Sequence, residues 1–296
     1  MAAMNRPYVI ILANGLNGLG AVRSAAHAGL KTYTLLTRQS DLSAYSRFSQ
    51  YRFLLPIKPI LDQLNNNEGG PGVLLACSDF AAELLGKLKK EGYSNQHLIV
   101  PTTETTEVLN DKKLECQYME QGGITLPKTF YNLEGDVPET FPLIIKPRTF
   151  REYKVLGAKN VIIHSLAELD EFKQNFHAHL DQFIAQEVIQ GGDDNLWVCN
   201  VTFDQNQELS ACFVFKRLGT MPSHYGVTSL AISQNNQALR EECAKIGKAL
   251  NYTGPAMIEF KKDQYSDTYY YIETNPRLGM CNWFDTRCGI NNILAC

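Results

Sequence analysis

The rhythm of apolar positions changes along this chain. Tyr8-Val9-Ile10-Ile11-Leu12-Ala13 is an unbroken apolar run closed by Asn14-Gly15, the pattern of a strand buried on both faces of a parallel sheet. A helix is expected from Gly18 to Ala28, strands at Lys31 to Leu36, Tyr51 to Leu55, Val73 to Cys77 and His97 to Val100, and an amphipathic helix from Phe80 to Glu91. Such alternation predicts an open α/β layer over residues 1–103. Asn65 to Gly72 is polar and glycine-rich and reads as a surface loop.

From Thr105 to Gln121 the pattern predicts one helix, stopped by Gly122-Gly123. Thr129-Phe130-Tyr131, Leu143 to Lys146 and Val161 to His164 read as strands and Leu166 to Phe176 as a helix, giving a small α+β lobe over 104–187. The apolar strand Phe183 to Val188 runs into Gly191-Gly192-Asp193-Asp194, a turn where the lobe rejoins the rest. In the last unit, 188–296, strands are expected at Leu196 to Phe203, Leu209 to Arg217 and Tyr225 to Ile232, with a helix near Ala238 to Leu250. The closing runs Ala256 to Phe260 and Tyr269 to Glu273 form a hairpin across the polar stretch Lys262 to Thr268.

A chain of 296 residues has length for two or three compact units. Its 44% hydrophobic and 20% charged residues are those of an ordinary soluble protein, and a net charge of −3 argues against nucleic acid as a partner. The eight cysteines lack CxxC spacing, so neither a zinc site nor a disulfide framework is expected. They read as buried thiols of a reducing compartment. Met1 to Pro7 has no signal-peptide core, and no apolar run approaches the ~20 residues of a membrane span, so a cytoplasmic protein without membrane contact is expected.

The candidate chemistry gathers in the closing hairpin. If Ser266 is its centre, Glu259 faces Glu273, and Asn275 follows on the same side with Arg277 just beyond. Like charges directly opposite destabilise a sheet, but Mg²⁺ takes one or two carboxylates and completes its shell with substrate phosphates and water. Arg277 would meet those phosphates with its planar fork. Lys146, fixed by Pro147 at a strand end, and Lys112, at a helix start, are candidate phosphate cations, each also readable as a solvated surface lysine. Glu187, Val188 and Ile189 offer backbone donors and acceptors to an adenine ring, and Asp193 or Asp194 to its ribose, though Gly-Gly-Asp-Asp alone is an ordinary turn.

With Leu109 to Lys112, Gly123 to Pro127, Leu143 to Pro147, Gln186 to Ile189, Gly254 to Glu259 and Glu273 to Arg277 in this order, most of the chain resembles the ATP-grasp superfamily. Its carboxylate-amine ligases and carbamoyl-phosphate-synthase-like carboligases are the nearest in pattern. The resemblance implies a Rossmann-like parallel-sheet domain, a small α+β lobe and a C-terminal antiparallel-sheet lobe. It implies a ligase that joins a small-molecule carboxylate to an amine through an acyl phosphate, using ATP and Mg²⁺ (or Mn²⁺), and, since homodimers are common in the family, allows a homodimer. Lys112 and Lys146 resemble its phosphate-binding lysines, Glu187 to Ile189 its adenine hinge, Asp194 a ribose contact, and Glu259, Glu273 and Asn275 its metal ligands. Arg277 resembles its phosphate or acyl-phosphate contact, and Lys216 or Arg217 is a further phosphate candidate.

Two features depart from that pattern. The family's glycine-rich phosphate loop is replaced by Arg148 to Lys159, whose single glycine is Gly157 and which carries four cations, Arg148, Arg151, Lys154 and Lys159. This leaves room for an ATP-binding module without turnover. The tail after Arg277 is short for the family, so a C-terminal substrate-binding piece beyond Cys296 is expected. Asn14 to Gly20 also permits an NAD(P)-dependent oxidoreductase, although its G-x-x-G-x-G order reverses the usual fingerprint and no acid follows the second strand cleanly. Arg47 is a weaker candidate for a substrate carboxylate and His224 for the substrate pocket; both are more simply surface residues.

Overall fold

The computed structural model describes residues 8–49, 51–54, 56–135, 138, 140–222 and 226–296. His224, the Tyr225 strand start and the Met1 to Pro7 reading lie outside the described residues.

The first layer is a parallel sheet. β1 (Tyr8–Ala13), α1 (Gly15–His27), β2 (Lys31–Leu36), β3 (Tyr51–Leu54), α2 (Ile57–Glu68), β4 (Val73–Ala76), α3 (Asp79–Lys90) and β5 (His97–Leu98) alternate along the chain. α2 is not among the expected elements, and its last turn takes Asn65 to Glu68 out of the expected surface loop, because Leu61 and Leu64 bury one helical face against the sheet. The strands lie in the order β3-β2-β1-β4-β5. All of β1 is buried, because helices cover both faces of the sheet.

The expected single helix over 105–121 is two: α4 (Thr103–Asn110) and α5 (Lys112–Gln121). Asp111 between them is extended, with φ −116° and ψ 108°, and its carboxylate accepts from the Lys113 and Leu114 amides. An Asp at this position caps the second helix at the expense of continuing the first.

The middle sheet contains β6 (Thr129–Phe130), β7 (Leu143–Pro147), β8 (Val161–Ile163) and β9 (Phe183–Glu187), ordered β6-β9-β7-β8, with α6 (Tyr153–Leu156) and α7 (Leu166–Asn175) between its later strands. The third sheet is antiparallel, β12-β11-β10-β13-β14. Its elements are β10 (Leu196–Phe203), β11 (Leu209–Met221), β12 (Val227–Ser233), α8 (Gln237–Ala249), β13 (Gly254–Lys262) and β14 (Tyr269–Asn275), followed by α9 (Asn282–Arg287). One face packs on α8 through Cys199, Val201, Val214, Ile258 and Phe260; the other carries Val198, Phe213 and Phe215.

The segment after β14 ties the third sheet to the first. The Leu278 amide donates to the Ala76 carbonyl at 3.1 Å, and Asn17 Nδ2 donates to the Leu278 carbonyl at 2.7 Å. Buried amides bonded to backbone in this way fix an orientation that apolar contact alone leaves free.

Candidate active site

All three sheets open onto one cleft of about 1520 Å³. Asn14 to Asn17 and Cys77 to Phe80 come from the first layer; Lys146, Lys159 and Glu187 to Ile189 come from the middle one. Arg217, Glu259, Glu273, Asn275 and Arg277 come from the third.

Glu259 and Glu273 are register partners across β13 and β14, and the ladder then shifts so that Phe260 pairs with Tyr271. The hairpin is therefore not uniform about Ser266: an extra residue at Ile272 changes the phase of β14. Tyr269 and Tyr271 pack toward the α8 side, and strict alternation would send Glu273 after them. The bulge re-aims it into the cleft.

Each acid has a cation at hand. Glu259 Oε1 lies 2.8 Å from Arg217 Nη2, and Glu273 Oε2 lies 3.0 Å from Lys112 Nζ. Lys112 holds the Glu273 carboxyl well below the usual range, whereas burial, reinforced by Glu273, pushes Glu259 up despite Arg217. One buried carboxylate is thus still short of positive charge, and Arg217 Nε has no partner among the described residues. Asn275 lies beside the pair, its Nδ2 3.4 Å from Glu273 Oε1. Two acids supply hard oxygen donors that suit Mg²⁺, so they fit the ion the sequence implies; the Asn275 amide presents its Nδ2 to Glu273 and its Oδ1 to Arg277, and joins the set only if it turns over.

Lys146 Nζ donates to Gln186 Oε1 at 2.7 Å. Burial, with Lys112 nearby, lowers its pKa to about 8. Lys112 is pushed the other way by Glu273 and Glu115, which outweigh its burial. Arg277 is already oriented, with Nε 2.8 Å from Asp79 Oδ1 and Nη2 donating to Asn275 Oδ1 at 3.0 Å. At the far end of the cleft the Glu187 and Val188 amides donate to the Lys128 and Pro142 carbonyls, and the Ile189 amide has no partner among the described residues. Lys261 Nζ donates to the Gly191 and Gly192 carbonyls at 2.7 and 2.6 Å, pinning the turn that follows.

Three sequence candidates sit elsewhere. Lys216 lies 3.8 Å from Asp194 and both line a separate, shallower cavity of about 590 Å³ with Trp197. The period of two along β11 decides this: Phe215 and Arg217 face the cleft and Lys216 the opposite side. Asp194 is carried away with it, while Asp193 faces the cleft and is engaged by the Thr220 amide and hydroxyl. Arg47 is exposed, stacked on Phe48 at 5.0 Å, and does not line the cleft.

The segment after Lys146 is ordered by side chains rather than by glycines. Arg148 grips Asp111 with Nε and Nη2 at 3.2 and 2.5 Å, and its carbonyl accepts from the Lys112 amide. Arg148 is thereby a positioning group for Lys112. Thr149 and Glu152 form a reciprocal cap over the short turn that leads into α6, and Lys159 returns to the cleft close enough to lower the pKa of both Glu259 and Glu273. Sequence reading also missed Glu115, a buried residue of α5. Its Oε1 accepts from the Tyr271 hydroxyl at 2.6 Å and the Thr274 amide at 2.8 Å, and burial raises its pKa to about 7. Nothing local marks it, since its partners are more than 150 positions away.

The first glycine turn is consumed by packing. The Gly15 amide donates to Asp41 Oδ2 at 2.7 Å, placing a carboxylate where a dinucleotide pyrophosphate would have to bind. A Cβ on Gly18 would stand 2.6 Å from Ala13 Cβ, and one on Gly20 2.7 Å from Asn282 Oδ1. These glycines permit α1 to approach β1 and the C-terminal segment, a packing role that accounts for them without a dinucleotide.

Residues 227–282 match the family described as carbamoyl-phosphate synthase L chain, ATP binding domain. The carbamoyl phosphate synthase large chain of Thermoanaerobacter sp. (strain X514) is 23% identical over 287 residues, covering 88% of this chain; the chain spans 26% of that relative's length. Among solved structures, N5-carboxyaminoimidazole synthetase from Staphylococcus aureus is similar at 15% identity and a TM-score of 0.68, over 95% of this chain and 74% of that one. Biotin carboxylase from Campylobacter jejuni matches at 15% identity and a TM-score of 0.69, over 100% and 71%. L-amino acid ligase from Bacillus licheniformis matches at 16% and 0.64, over 95% and 70%. With its mixed α/β architecture and three sheets around one cleft, the chain has the ATP-grasp fold.

Proposed function

We propose that this protein is an ATP-dependent ligase that joins a small-molecule carboxylate to an amine, releasing ADP and phosphate. The observation that carries the reading is the registered Glu259 and Glu273 pair, ringed by Lys112, Lys146, Arg217 and Arg277 in a single cleft. The substrate carboxylate attacks the γ-phosphorus of ATP, the bond to the bridging oxygen breaks, and ADP leaves from an acyl phosphate. The amine then adds at the acyl carbon and expels phosphate.

The chain's own contribution is positioning and charge. Lys112 and Lys146 take the phosphates, Glu187 to Ile189 the adenine, and Arg277, held by Asp79, the transferring phosphoryl or the acyl phosphate. Arg217 replaces Lys216 as the further phosphate contact, and Asp193 is better placed than Asp194 for the ribose. Glu259, Glu273 and Asn275 hold the divalent ion, Mg²⁺ with Mn²⁺ as a substitute, which when bound neutralises triphosphate charge. The units 1–103, 104–187 and 188–296 act as the acceptor-substrate layer, the small nucleotide lobe and the catalytic lobe.

The site takes small molecules, with no role for nucleic acid, and a homodimer is proposed by analogy with the 2-oxoglutarate carboxylase biotin carboxylase domain dimer, a structural neighbour. All eight cysteines are free, which supports a cytoplasmic setting. No helix among the described residues is long and apolar enough to cross a membrane.

The test is ADP formation with Mg-ATP across a panel of amino and hydroxy acids, with and without amines. An acid-dependent burst of ADP supports the reading. Tight ATP binding without ADP from any acid supports instead the binding module that the glycine-poor segment allows, and stabilisation by NADH but not Mg-ATP overturns both.

A further inference from the structure

Outside the cleft, the third sheet carries a second constellation. Cys199 on β10, Cys212 on β11 and Cys243 on α8 are all buried, and their sulfur atoms lie within 4.8 Å of one another. We propose that Cys199, Cys212 and Cys243 form a thiolate site for one soft monovalent cation, copper(I), on the face of the sheet opposite the nucleotide cleft.

Geometry supports a common centre. Three atoms no more than 4.8 Å apart lie within about 2.8 Å of a shared point, and a metal-thiolate bond is about 2.3 Å, so small rotamer adjustments close the shell. Cys199 pairs with Val214 and Cys212 with Val201, which places the two thiols diagonally on one face of the β10-β11 ladder. Cys243 descends on them from α8. No fourth His, Cys, Asp or Glu joins the group among the described residues, and the surroundings are apolar, with Val201, Val214, Leu239 and Ile246 in the same core. A structural zinc ion asks for four ligands. A dry, three-sulfur shell suits copper(I), which thiolates select by softness.

Charge also balances. Binding Cu⁺ releases two thiol protons to solvent and leaves the third thiol protonated, with no change of oxidation state. The group then carries one negative charge, which Arg240 offsets from beside it, its Nη1 donating to the Cys212 carbonyl at 2.8 Å. The spacing of 199, 212 and 243 carries no sequence motif, so only the packing of α8 on the sheet assembles the set.

The experiment uses the full chain, reduced and anaerobic, with Cu⁺ supplied as its complex with a chromogenic chelator. The expected result is withdrawal of one Cu⁺ per chain, a sulfur-only shell by X-ray absorption, and at least a 100-fold loss of affinity in Cys212→Ser but not in Cys288→Ser. No withdrawal, equal withdrawal by Cys212→Ser, or nitrogen and oxygen in the shell overturns the proposal. If Cys212→Ser does not fold, the wild-type absorption spectrum decides alone. A disulfide within the trio that forms in air, with no copper uptake by the reduced chain, also overturns it.

Discussion

Glu259 stands directly opposite Glu273 across the β13-β14 ladder, one pair before the bulge that turns Glu273 toward the cleft. Two carboxylates in this relation repel unless something positive is placed between or beside them, and Arg217 and Lys112 supply only one side each. Replacing Glu273 with Gln keeps the shape and removes the charge. ADP formation should fall by at least about 100-fold while the circular dichroism spectrum is retained. Full turnover in that variant would remove the metal assignment.

Arg217 and Lys216 are adjacent in sequence and opposed in space. Arg217→Ala should lower ADP formation on the order of 100-fold or more, because it uncovers the buried Glu259 and removes a cation from the phosphates. Lys216→Ala should change the rate by less than about twofold, being paired with an exposed Asp194 outside the cleft. Steady-state kinetics on the two variants compare the faces of one strand.

Lys146 gives the site a pH dependence. Its pKa is lowered to about 8 from 10.5 by burial. Between those values the folded protein has lost a proton that the unfolded chain keeps, so this group's contribution to stability rises with pH from about 8 to 10.5. Bound phosphates favour the charged form, so nucleotide binding near pH 8 to 9 should take up a fraction of a proton, and almost none near pH 6. Calorimetry in buffers of different ionisation enthalpy measures this, and Lys146→Arg should abolish it.

Glu115 behaves in the opposite sense. Its pKa of about 7 exceeds the 4.5 of a free Glu, so over that interval the folded state holds a proton that the unfolded chain has released, and stability falls as pH rises. Gln at this position retains an Oε1 acceptor for the Tyr271 hydroxyl and the Thr274 amide. Thermal melts from pH 4 to 8 should show the wild-type melting temperature declining relative to Glu115→Gln between about 4.5 and 7 and running parallel outside it.

Gly20 tests the packing account of the first turn. Ala there would press on Asn282 Oδ1, and Asn282 also donates to Asn17. Gly20→Ala should destabilise by about 1–3 kcal/mol without creating or removing any response to NADH, as read by denaturant unfolding and thermal shift.

The apolar rhythm of the sequence by itself determined where most elements lie, because burial demands a period of two or of 3.6 wherever it occurs. β1, β2 and β10 follow directly from their apolar runs, and the order of short segments from Leu109 to Arg277 carried the resemblance to the fold. Local chemistry that competes with periodicity was harder to read: Asp111 splits a continuous helical pattern because its carboxylate caps α5. Tertiary structure alone decided which face each side chain took and what it met. The Ile272 bulge, the choice of Arg217 over Lys216, the burial of Glu115 beneath Tyr271 and the meeting of three distant cysteines all depend on strand register and on elements far apart in sequence. A one-residue phase shift moves a side chain to the other side of a sheet, and no pattern within a single segment encodes it.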